Sequence, residues 1–267
     1  MIFGEIMSNK KQQNVKFIEN PVVIIPARLS STRLPGKPLA DICGTPMIVR
    51  VLRQAEEANC GPVIVACSDI EIKTVVEEAG GTAVMTRQDH LSGSDRIYEA
   101  LEILDPEENF DSIINLQGDL PTISPFDVKK SLSLLKNKDV DIGTLASRIS
   151  DKSELSNHNV VKIVVSCEKH INIGRALYFT RANAPSGEGD HWHHIGIYAY
   201  RRNALKRFVT LPPSYLEKQE KLEQLRAMED GMRIEVAFVD SIPLGVDTPH
   251  DLEKVRKIIM SHKKLKD

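Results

Sequence analysis

The sequence predicts an α/β fold, in which a mostly parallel sheet is flanked by helices and carries a smaller, inserted antiparallel subdomain. Short β-branched runs alternate with amphipathic helical patterns up to residue 137, and this alternation is typical of parallel strands joined by crossover helices. Between residues 151 and 212 the apolar runs lack helices long enough to cross over, which favours antiparallel strands. We therefore expect one domain over residues 21–267, with 151–212 as an inserted subdomain, after a mobile extension over residues 1–20.

Four apolar runs in the first half predict strands, and the first of them is typical of a strand buried on both faces. These runs are PVVIIPA (21–27), PVIVACS (62–68), TAVMT (82–86) and DSIINLQGD (111–119). A helix is expected after each strand, because a capping residue precedes each helical pattern. The expected caps are Thr45 before Pro46, Asp69, Ser94, and Ser124 before Pro125.

The second half begins with three runs that predict antiparallel strands. They are VVKIVVS (160–166), ALYFTRA (176–182) and HIGIYAYRR (194–202). One long helix is then expected over residues 214–231, where Ser214 and Glu217 have the spacing of a capping box. A last strand over 233–240 and a last helix over 247–260 complete the predicted fold.

The composition excludes several classes of partner. Charged residues make up 27% of the 267 residues, yet the formal net charge is only −2, so the chain lacks the positive field that nucleic acid or an anionic membrane surface attracts. No apolar run is long enough to span a bilayer. Four scattered cysteines without CxxC spacing favour a reducing compartment. These features predict a cytoplasmic protein without a nucleic-acid or membrane partner.

The segment PARLSSTRLPGKPL (26–39) follows the first strand and crowds Arg28, Arg33 and Lys37 into a loop of small residues. Like charges repel unless an anion lies among them, and Gly36 lets the backbone approach such an anion closely. Ligands of parallel sheets bind beyond the carboxyl ends of the strands, so the loop suits several phosphates in a row, although it lacks Walker A spacing. On composition alone, a surface loop whose cations pair with nearby acids is an equally good interpretation.

Two aspartates stand where a ligand site is expected. Asp119 ends a predicted buried strand, where a carboxylate is costly unless it is paired or bound to a cation. Asp247 precedes the last helix, and taken alone it favours an ordinary turn residue. Mg²⁺ takes one or two carboxylates together with substrate phosphate oxygens, so the two aspartates and a triphosphate would suit a magnesium site.

The loop PARLSSTRLPGKPL resembles the signature loop of nucleotide-sugar cytidylyltransferases. Six later segments resemble, in the same order, blocks of the 3-deoxy-manno-octulosonate (Kdo) cytidylyltransferase family, so the resemblance covers nearly the whole chain after the extension. They are MTRQDHLSGSDR, NLQGD, ALYFTRA, HIGIYAYR, LEQLR and GVDTPHDLEKVR. The resemblance implies a Rossmann-like sheet of the nucleotide-diphospho-sugar transferase type. It also implies a homodimer and a single cytidylyltransferase domain, with 151–212 as its sugar-binding and dimerisation subdomain.

The same resemblance implies transfer of CMP from CTP to the anomeric hydroxyl of Kdo, with release of pyrophosphate, for lipopolysaccharide biosynthesis. Mg²⁺ is the implied cofactor, held by Asp119 and Asp247. The implied catalytic residues are Arg28, Lys37 and Asp119. The implied nucleotide-binding residues are Arg28, Arg33, Lys37, Ser94 and Arg96. The implied sugar-binding residues are Gln117, Arg181, His194, Tyr198, Glu223 and Gln224.

Several of these residues also have a structural interpretation. Ser94 is a good helix cap, His194 and Tyr198 share one face of a strand, and Glu223 with Gln224 suits an exposed helix face. The function has alternatives too: an acceptor such as sialate or amino-Kdo, or a nucleotide-binding homologue without catalysis. The segments TRLPGKPL and HIGIYAYR favour Kdo over sialate.

Overall fold

The computed structural model describes residues 19–167 and 172–264; most of the extension predicted over residues 1–20 lies outside them. The strands are β1 (Pro21–Ala27), β2 (Asp41–Ile42), β3 (Thr45–Pro46), β4 (Val63–Cys67), β5 (Thr82–Met85), β6 (Ser112–Leu116), β7 (Ile142–Arg148), β8 (Lys162–Ser166), β9 (Ile173–Thr180), β10 (Trp192–Arg201) and β11 (Ile234–Val239). The helices are α1 (Met47–Glu57), α2 (Ile70–Glu78), α3 (Gly93–Leu104), α4 (Pro125–Ser133), α5 (Ser153–Ser156), α6 (Arg202–Thr210), α7 (Tyr215–Glu220), α8 (Gln224–Glu229) and α9 (Pro249–Lys264). None of the helices in these two ranges is long and apolar enough to cross a membrane.

Strands β5, β4, β1 and β6 form the parallel half of one large sheet, in that order. Successive side chains of β1 point to opposite faces: Val23 and Ile25 pack in one hydrophobic core with residues of α1 and α4, and Val22 and Ile24 pack in a second core with residues of α3. Helices therefore cover both faces, and the α/β fold predicted from the alternating pattern is confirmed.

The other half of the sheet is mixed. β10 pairs antiparallel with β6 and β7, β11 pairs parallel with β7, and β9 and β8 continue antiparallel to the edge. The antiparallel strands predicted within residues 151–212 are thus confirmed, but they do not form a sheet of their own. They complete the same nine-stranded sheet, so "mostly parallel" describes only its first half. The physical reason is that β10 pairs with the backbone groups along the edge of β6, which would otherwise be exposed.

Two helix starts differ from the predictions. The expected cap Thr45 and first helical residue Pro46 instead form the short strand β3, and α1 begins at Met47. Ser92, not Ser94, caps α3, because its hydroxyl accepts a hydrogen bond from a backbone N–H of the first turn. The side chain of Ser94 is therefore free for another role.

The segment 214–231, predicted as one helix, forms the two helices α7 and α8. The predicted capping box of Ser214 and Glu217 is confirmed at the start of α7. Lys221 then adopts a left-handed conformation with φ of 57° and ends that helix. The break leaves Glu223 as the residue that precedes α8.

Helix α9 brings the end of the chain back to the loop after β1. Val246, Leu252 and Val255 form a small core with Ile42 and Met47. This packing places the turn before α9 beside the carboxyl ends of the parallel strands.

A buried ion pair between Asp105 and Arg202 joins the end of α3 to the start of α6. Asp105 Oδ2 lies 2.6 Å from Arg202 Nη1, and both side chains are almost fully buried. Asp105 also accepts hydrogen bonds from the backbone N–H groups of Asn109 and Phe110. Burial raises the pKa of Asp105, but these hydrogen bonds outweigh it and hold the pKa below its ordinary value.

Replacing Asp105 by alanine is expected to lower the free energy of unfolding by about 3–5 kcal/mol, because a buried guanidinium and two N–H groups lose their partner. Urea unfolding at neutral pH measures this loss. The control Glu102→Ala removes a half-exposed carboxylate 3.7 Å from the same Arg202 guanidinium and should cost under about 1 kcal/mol.

The contribution of Asp105 to the free energy of unfolding should also depend on pH. Because its folded pKa is depressed, the contribution is present above the ordinary value of 3.8 and is lost as the pH falls through the folded value. The difference in free energy of unfolding between wild type and Asp105→Ala should therefore become smaller in strong acid. A variant as stable as wild type at neutral pH would contradict the assignment.

Candidate active site

The loop after β1 is held in place by backbone contacts. The N–H of Leu29 donates to the Asp69 carboxylate at 3.0 Å, so Asp69, expected to cap α2 with its side chain, anchors the loop instead. Gly36 has φ of 67°, a conformation that favours glycine. A 3₁₀ turn starts directly after it at Lys37, and the following Pro38 is buried. This turn sets the position from which Lys37 reaches the ends of neighbouring strands.

Tertiary contacts bring Asp119 and Asp247 to the same place. The N–H of Val246 donates to the carbonyl oxygen of Asp119 at 3.0 Å, which ties the turn before α9 to the end of β6. Gly118 packs so closely on β1 that a Cβ there would lie 3.0 Å from the carbonyl oxygen of Pro26. Asp119 is therefore fixed beside the start of the cationic loop.

Lys37 lies between the two aspartates. Its Nζ is 2.7 Å from Asp119 Oδ2 and 3.1 Å from Asp247 Oδ1, and Arg33 Nη2 is 3.1 Å from Asp247 Oδ2. Burial lowers the pKa of Lys37, but the charges and hydrogen bonds of Asp119 and Asp247 outweigh it, so the pKa lies above its ordinary value. Two of the three loop cations, Arg33 and Lys37, do pair with acids, and these acids are the two predicted metal ligands.

The Lys37 ammonium shows that Asp119 and Asp247 can bind one shared cation, as the predicted magnesium site requires. Asp119 and Asp247 converge on this one positive charge, and their side chains remain 31% and 47% exposed. Two converging, accessible carboxylates are a donor set that Mg²⁺ takes together with phosphate oxygens. Over residues 19–167 and 172–264, no group of three or more His, Cys, Asp or Glu side chains is placed to hold a metal. The residues fit an ion that completes its coordination with substrate oxygens and water.

A cavity of about 380 Å³ opens beside these groups. Seven of the predicted residues line it: Arg28, Arg33, Lys37, Arg96, Gln117, Asp119 and Asp247. Because they come from the loop after β1, the end of β6, helix α3 and the turn before α9, the cavity lies at the carboxyl ends of the parallel strands, where ligands are expected.

Arg96 has an unused hydrogen-bond donor in this cavity wall. The side chain is 2% exposed, and its Nη1 donates to Thr86 Oγ1 at 2.6 Å and to the carbonyl oxygen of Arg87 at 3.1 Å. Its Nη2 is buried and has no partner among the described residues. Burial, and next the charge of Arg28, lower the pKa of Arg96. A buried donor without a partner is costly, so this wall suits a ligand acceptor.

Ser94 links the start of α3 to Glu223, one of the predicted sugar residues. Its hydroxyl donates to Glu223 Oε2 at 3.1 Å, while Glu223 Oε1 is buried without a partner in the described part of the chain. Burial raises the pKa of Glu223. Burial, together with the charges of Tyr200 and Glu223, raises the pKa of Tyr198. The interpretation of Ser94 as a cap is wrong, and so is that of Glu223 and Gln224 as an exposed face, since Gln224 is 7% exposed.

Two other predicted sugar residues are held by hydrogen bonds within the protein. Gln117 lines the cavity and donates from Nε2 to Asn115 Oδ1 at 3.0 Å. His194 is buried, and its Nε2 lies 3.0 Å from Thr144 Oγ1. Burial lowers the pKa of His194 to about 3, so the ring is neutral at physiological pH and packs 5.4 Å from the Tyr198 ring.

Arg181 is placed apart from this group. Its Nη1 donates to the carbonyl oxygen of His158 at 2.9 Å, and its Nε donates to the carbonyl oxygen of Glu220 at 3.3 Å. Within the described residues these contacts lead to the loop before β8 and to the end of α7, and none leads to the other predicted sugar residues. The role of Arg181 in sugar binding stays a prediction.

His90 and Ser92 also line the cavity, although neither was a predicted site residue. Ser92 caps α3, and His90 forms a hydrogen bond with Glu99. Both belong to the segment HLSGSDR, whose hydroxyl and imidazole groups directly precede Ser94. That local concentration of polar side chains after a strand was the available signal.

Comparison with known proteins identifies the family of this chain. A family model described as cytidylyltransferase matches residues 22–234. A 3-deoxy-manno-octulosonate cytidylyltransferase from Paramagnetospirillum magneticum is 55% identical over 239 residues, which cover 90% of this chain and 97% of that protein. One from Bradyrhizobium sp. (strain ORS 278) is 60% identical over 238 residues, which cover 89% of this chain and 96% of that protein.

Solved structures extend the agreement to the fold. A CMP:2-keto-3-deoxy-manno-octonic acid synthetase complexed with CTP matches with a TM-score of 0.84 and 40% identity, over 91% of this chain and 100% of that chain. A cytidylyltransferase from Leptospira borgpetersenii, at 16% identity and a TM-score of 0.59, shares the fold. Since the family model covers most of the chain and the relatives align along nearly all of it, this protein belongs to the cytidylyltransferase family, among the 3-deoxy-manno-octulosonate cytidylyltransferases.

Proposed function

We propose that the protein transfers CMP from CTP to the anomeric hydroxyl of Kdo and releases pyrophosphate. The observation that carries this proposal is the convergence of Lys37, Asp119 and Asp247 at a cavity that Arg28 and Arg96 also line. The sugar hydroxyl attacks the α-phosphorus directly, so the reaction needs positioning and charge stabilisation and no protein nucleophile. The names of the similar proteins, and the CTP in the complex of a similar synthetase, support both substrates.

The residues of the loop after β1 bind the triphosphate in this proposal. Arg28, Arg33 and Lys37 balance its charge, and Lys37 also balances the charge that develops on the leaving pyrophosphate. Asp119 and Asp247 would hold Mg²⁺, which, when bound, neutralises phosphate charge and lowers the pKa of a coordinated hydroxyl. The turn at Lys37 keeps these groups in place before substrate arrives, which reduces the reorganisation that the reaction requires.

The remaining predicted residues bind the base and the sugar. Arg96 donates to the nucleotide through its unused Nη2. Ser94, Tyr198 and Glu223 offer hydroxyl and carboxyl groups to the Kdo hydroxyls, together with Gln117 and Gln224. Arg181 binds the Kdo carboxylate, the pairing that a guanidinium prefers, and neutral His194 supports the ring of Tyr198 from the core.

We also propose a cytoplasmic homodimer that supplies activated Kdo for lipopolysaccharide biosynthesis, with a Rossmann-like nucleotide site on the parallel half of the sheet. The four free cysteines of the described residues support a reducing compartment. Ile173 and Leu177, 41% and 51% exposed on β9, support self-association through the segment 151–212.

Release of pyrophosphate by the purified protein tests the reaction. With Mg²⁺ and CTP present, we expect release with Kdo and none with sialate or without sugar, and chelation of Mg²⁺ by EDTA should stop it. Release with sialate alone would keep the chemistry and overturn the acceptor. Binding of CTP without release on either sugar would favour a non-catalytic homologue.

A further inference from the structure

His90 and Glu99 form a side-chain pair that the proposed mechanism does not use. His90 lies in the loop between β5 and α3, lines the cavity, and has a side chain that is 7% exposed. Its Nε2 forms a hydrogen bond with Glu99 Oε2. The same carboxylate oxygen accepts from the backbone N–H of Arg87 at 3.0 Å, so the position of Glu99 is fixed from two sides.

This pair determines which ring nitrogen of His90 carries the proton. Burial raises the pKa of Glu99, but the hydrogen bonds from His90 and Arg87 outweigh it and hold the pKa below its ordinary value. Glu99 is therefore a carboxylate at neutral pH, and a carboxylate only accepts hydrogen bonds. The shared proton consequently sits on Nε2, and in the tautomer with a single ring proton Nδ1 is the acceptor.

The same segment also provides a donor. Nη2 of Arg96 is buried and lacks a partner among the described residues. A triphosphate held at Lys37, Asp119 and Asp247 leaves the other lining residues for the base, and these include His90, Ser92 and Arg96 of the segment 86–96. His90 and Arg96 both line this part of the cavity; the first has the acceptor nitrogen Nδ1, and the second has the buried, unpartnered donor Nη2.

An acceptor and a donor together complement cytosine. Its Watson–Crick edge carries an exocyclic amine that donates, followed by N3 and O2, which accept. Uracil carries a carbonyl oxygen where cytosine carries the amine, and that oxygen would face the lone pair of an acceptor. A site built to accept a hydrogen bond rejects an analogue that cannot donate it.

We propose that His90, with its tautomer set by Glu99, accepts a hydrogen bond from the exocyclic amine of the base and makes this site prefer CTP over UTP. His90 is then a specificity-determining residue, and Glu99 is the residue that positions it. The inference rests on the proposed nucleotide site, but it does not require turnover.

Calorimetric binding of CTP and of UTP to the full-length protein, with Mg²⁺ and without sugar, tests the preference. His90→Ala should weaken CTP binding about tenfold and change UTP binding less than about twofold, as expected for one lost hydrogen bond. Glu99→Leu should shift the CTP/UTP ratio in the same direction, and Glu99→Gln, which keeps an acceptor oxygen, should retain most of it. Glu102→Ala, on the same helix and half-exposed, is the matched control and should behave as wild type.

Nitrogen-15 NMR of histidine-labelled protein tests the tautomer independently. The resonances that disappear in His90→Ala should show a protonated Nε2 and an unprotonated Nδ1, and Glu99→Leu should mix the two forms. Protonation of both ring nitrogens in wild type would overturn the proposal. Equal losses for CTP and UTP in His90→Ala would also overturn it, since that result indicates a structural role.

Kinetics separate this inference from the proposed function. If pyrophosphate is released with Kdo, His90→Ala should raise KM for CTP with little change in kcat, because the lost contact is uniform binding. If no pyrophosphate is released, the proposed function fails while the binding experiment still decides the role of His90. An unchanged CTP/UTP ratio in an active enzyme would reject the inference and leave the proposed function standing.

Discussion

Replacing Lys37 by alanine is expected to lower the rate of pyrophosphate release by about 10²–10³-fold, the usual cost of removing one preorganised charge-stabilising donor. Lys37 lies within 3.1 Å of both Asp119 and Asp247, so it stands where triphosphate charge has to be balanced. Its raised pKa keeps it protonated throughout the physiological range. Steady-state pyrophosphate release with CTP and Kdo measures the effect, mainly in kcat.

Two further variants show whether the loss of activity is specific to Lys37. Lys73→Ala removes a lysine that pairs with Glu77 along the surface of α2, at 3.7 Å, and should keep wild-type activity. Arg33→Ala removes a guanidinium that is 61% exposed and should cost less than Lys37→Ala. Thermal unfolding of all three should stay close to wild type. Lys37→Ala with wild-type kcat would contradict the assignment of Lys37 and revive the interpretation as a non-catalytic loop.

Replacing Asp119 by asparagine is expected to reduce activity by about 10³-fold or more, because it removes one of two carboxylates proposed to hold a catalytic cation, a contribution of several kcal/mol to the transition state. Asparagine keeps the size of the side chain, so the carbonyl of residue 119 can still accept from Val246. Pyrophosphate release again measures the loss.

Binding of CTP with and without Mg²⁺ separates a metal-binding role of Asp119 from a structural one. Wild type should bind CTP more tightly with Mg²⁺, and Asp119→Asn should lose that difference. The control Asp139→Asn changes an exposed aspartate near the amino end of β7, at the opposite end of the strands from Asp119. This variant should keep both wild-type activity and the effect of Mg²⁺ on CTP binding. If Asp119→Asn kept the full effect of Mg²⁺ on binding, the ion would not be held at Asp119.

Local signals predicted those parts of the site that depend on nearby residues. The apolar run of β1, the cationic loop with Gly36, and the caps at Ser124 and Ser214 follow from spacing and side-chain chemistry within a few residues. Ser94 shows where such signals fail. A serine at the start of a helix is a good cap, yet Ser92 two residues earlier takes that role, because capping alone cannot choose between neighbouring hydroxyls.

Sequence patterns alone were enough to predict the α/β class, the loop that follows β1, the candidate residues and, through the motifs, the family. Three features became visible in the folded chain alone: β10 lies between β6 and β7, Lys37 lies between Asp119 and Asp247, and His90 pairs with Glu99. The physical reason is that periodicity and capping depend on adjacent residues, whereas strand order and side-chain partners depend on which packing of distant segments buries the most apolar surface and satisfies the most polar groups.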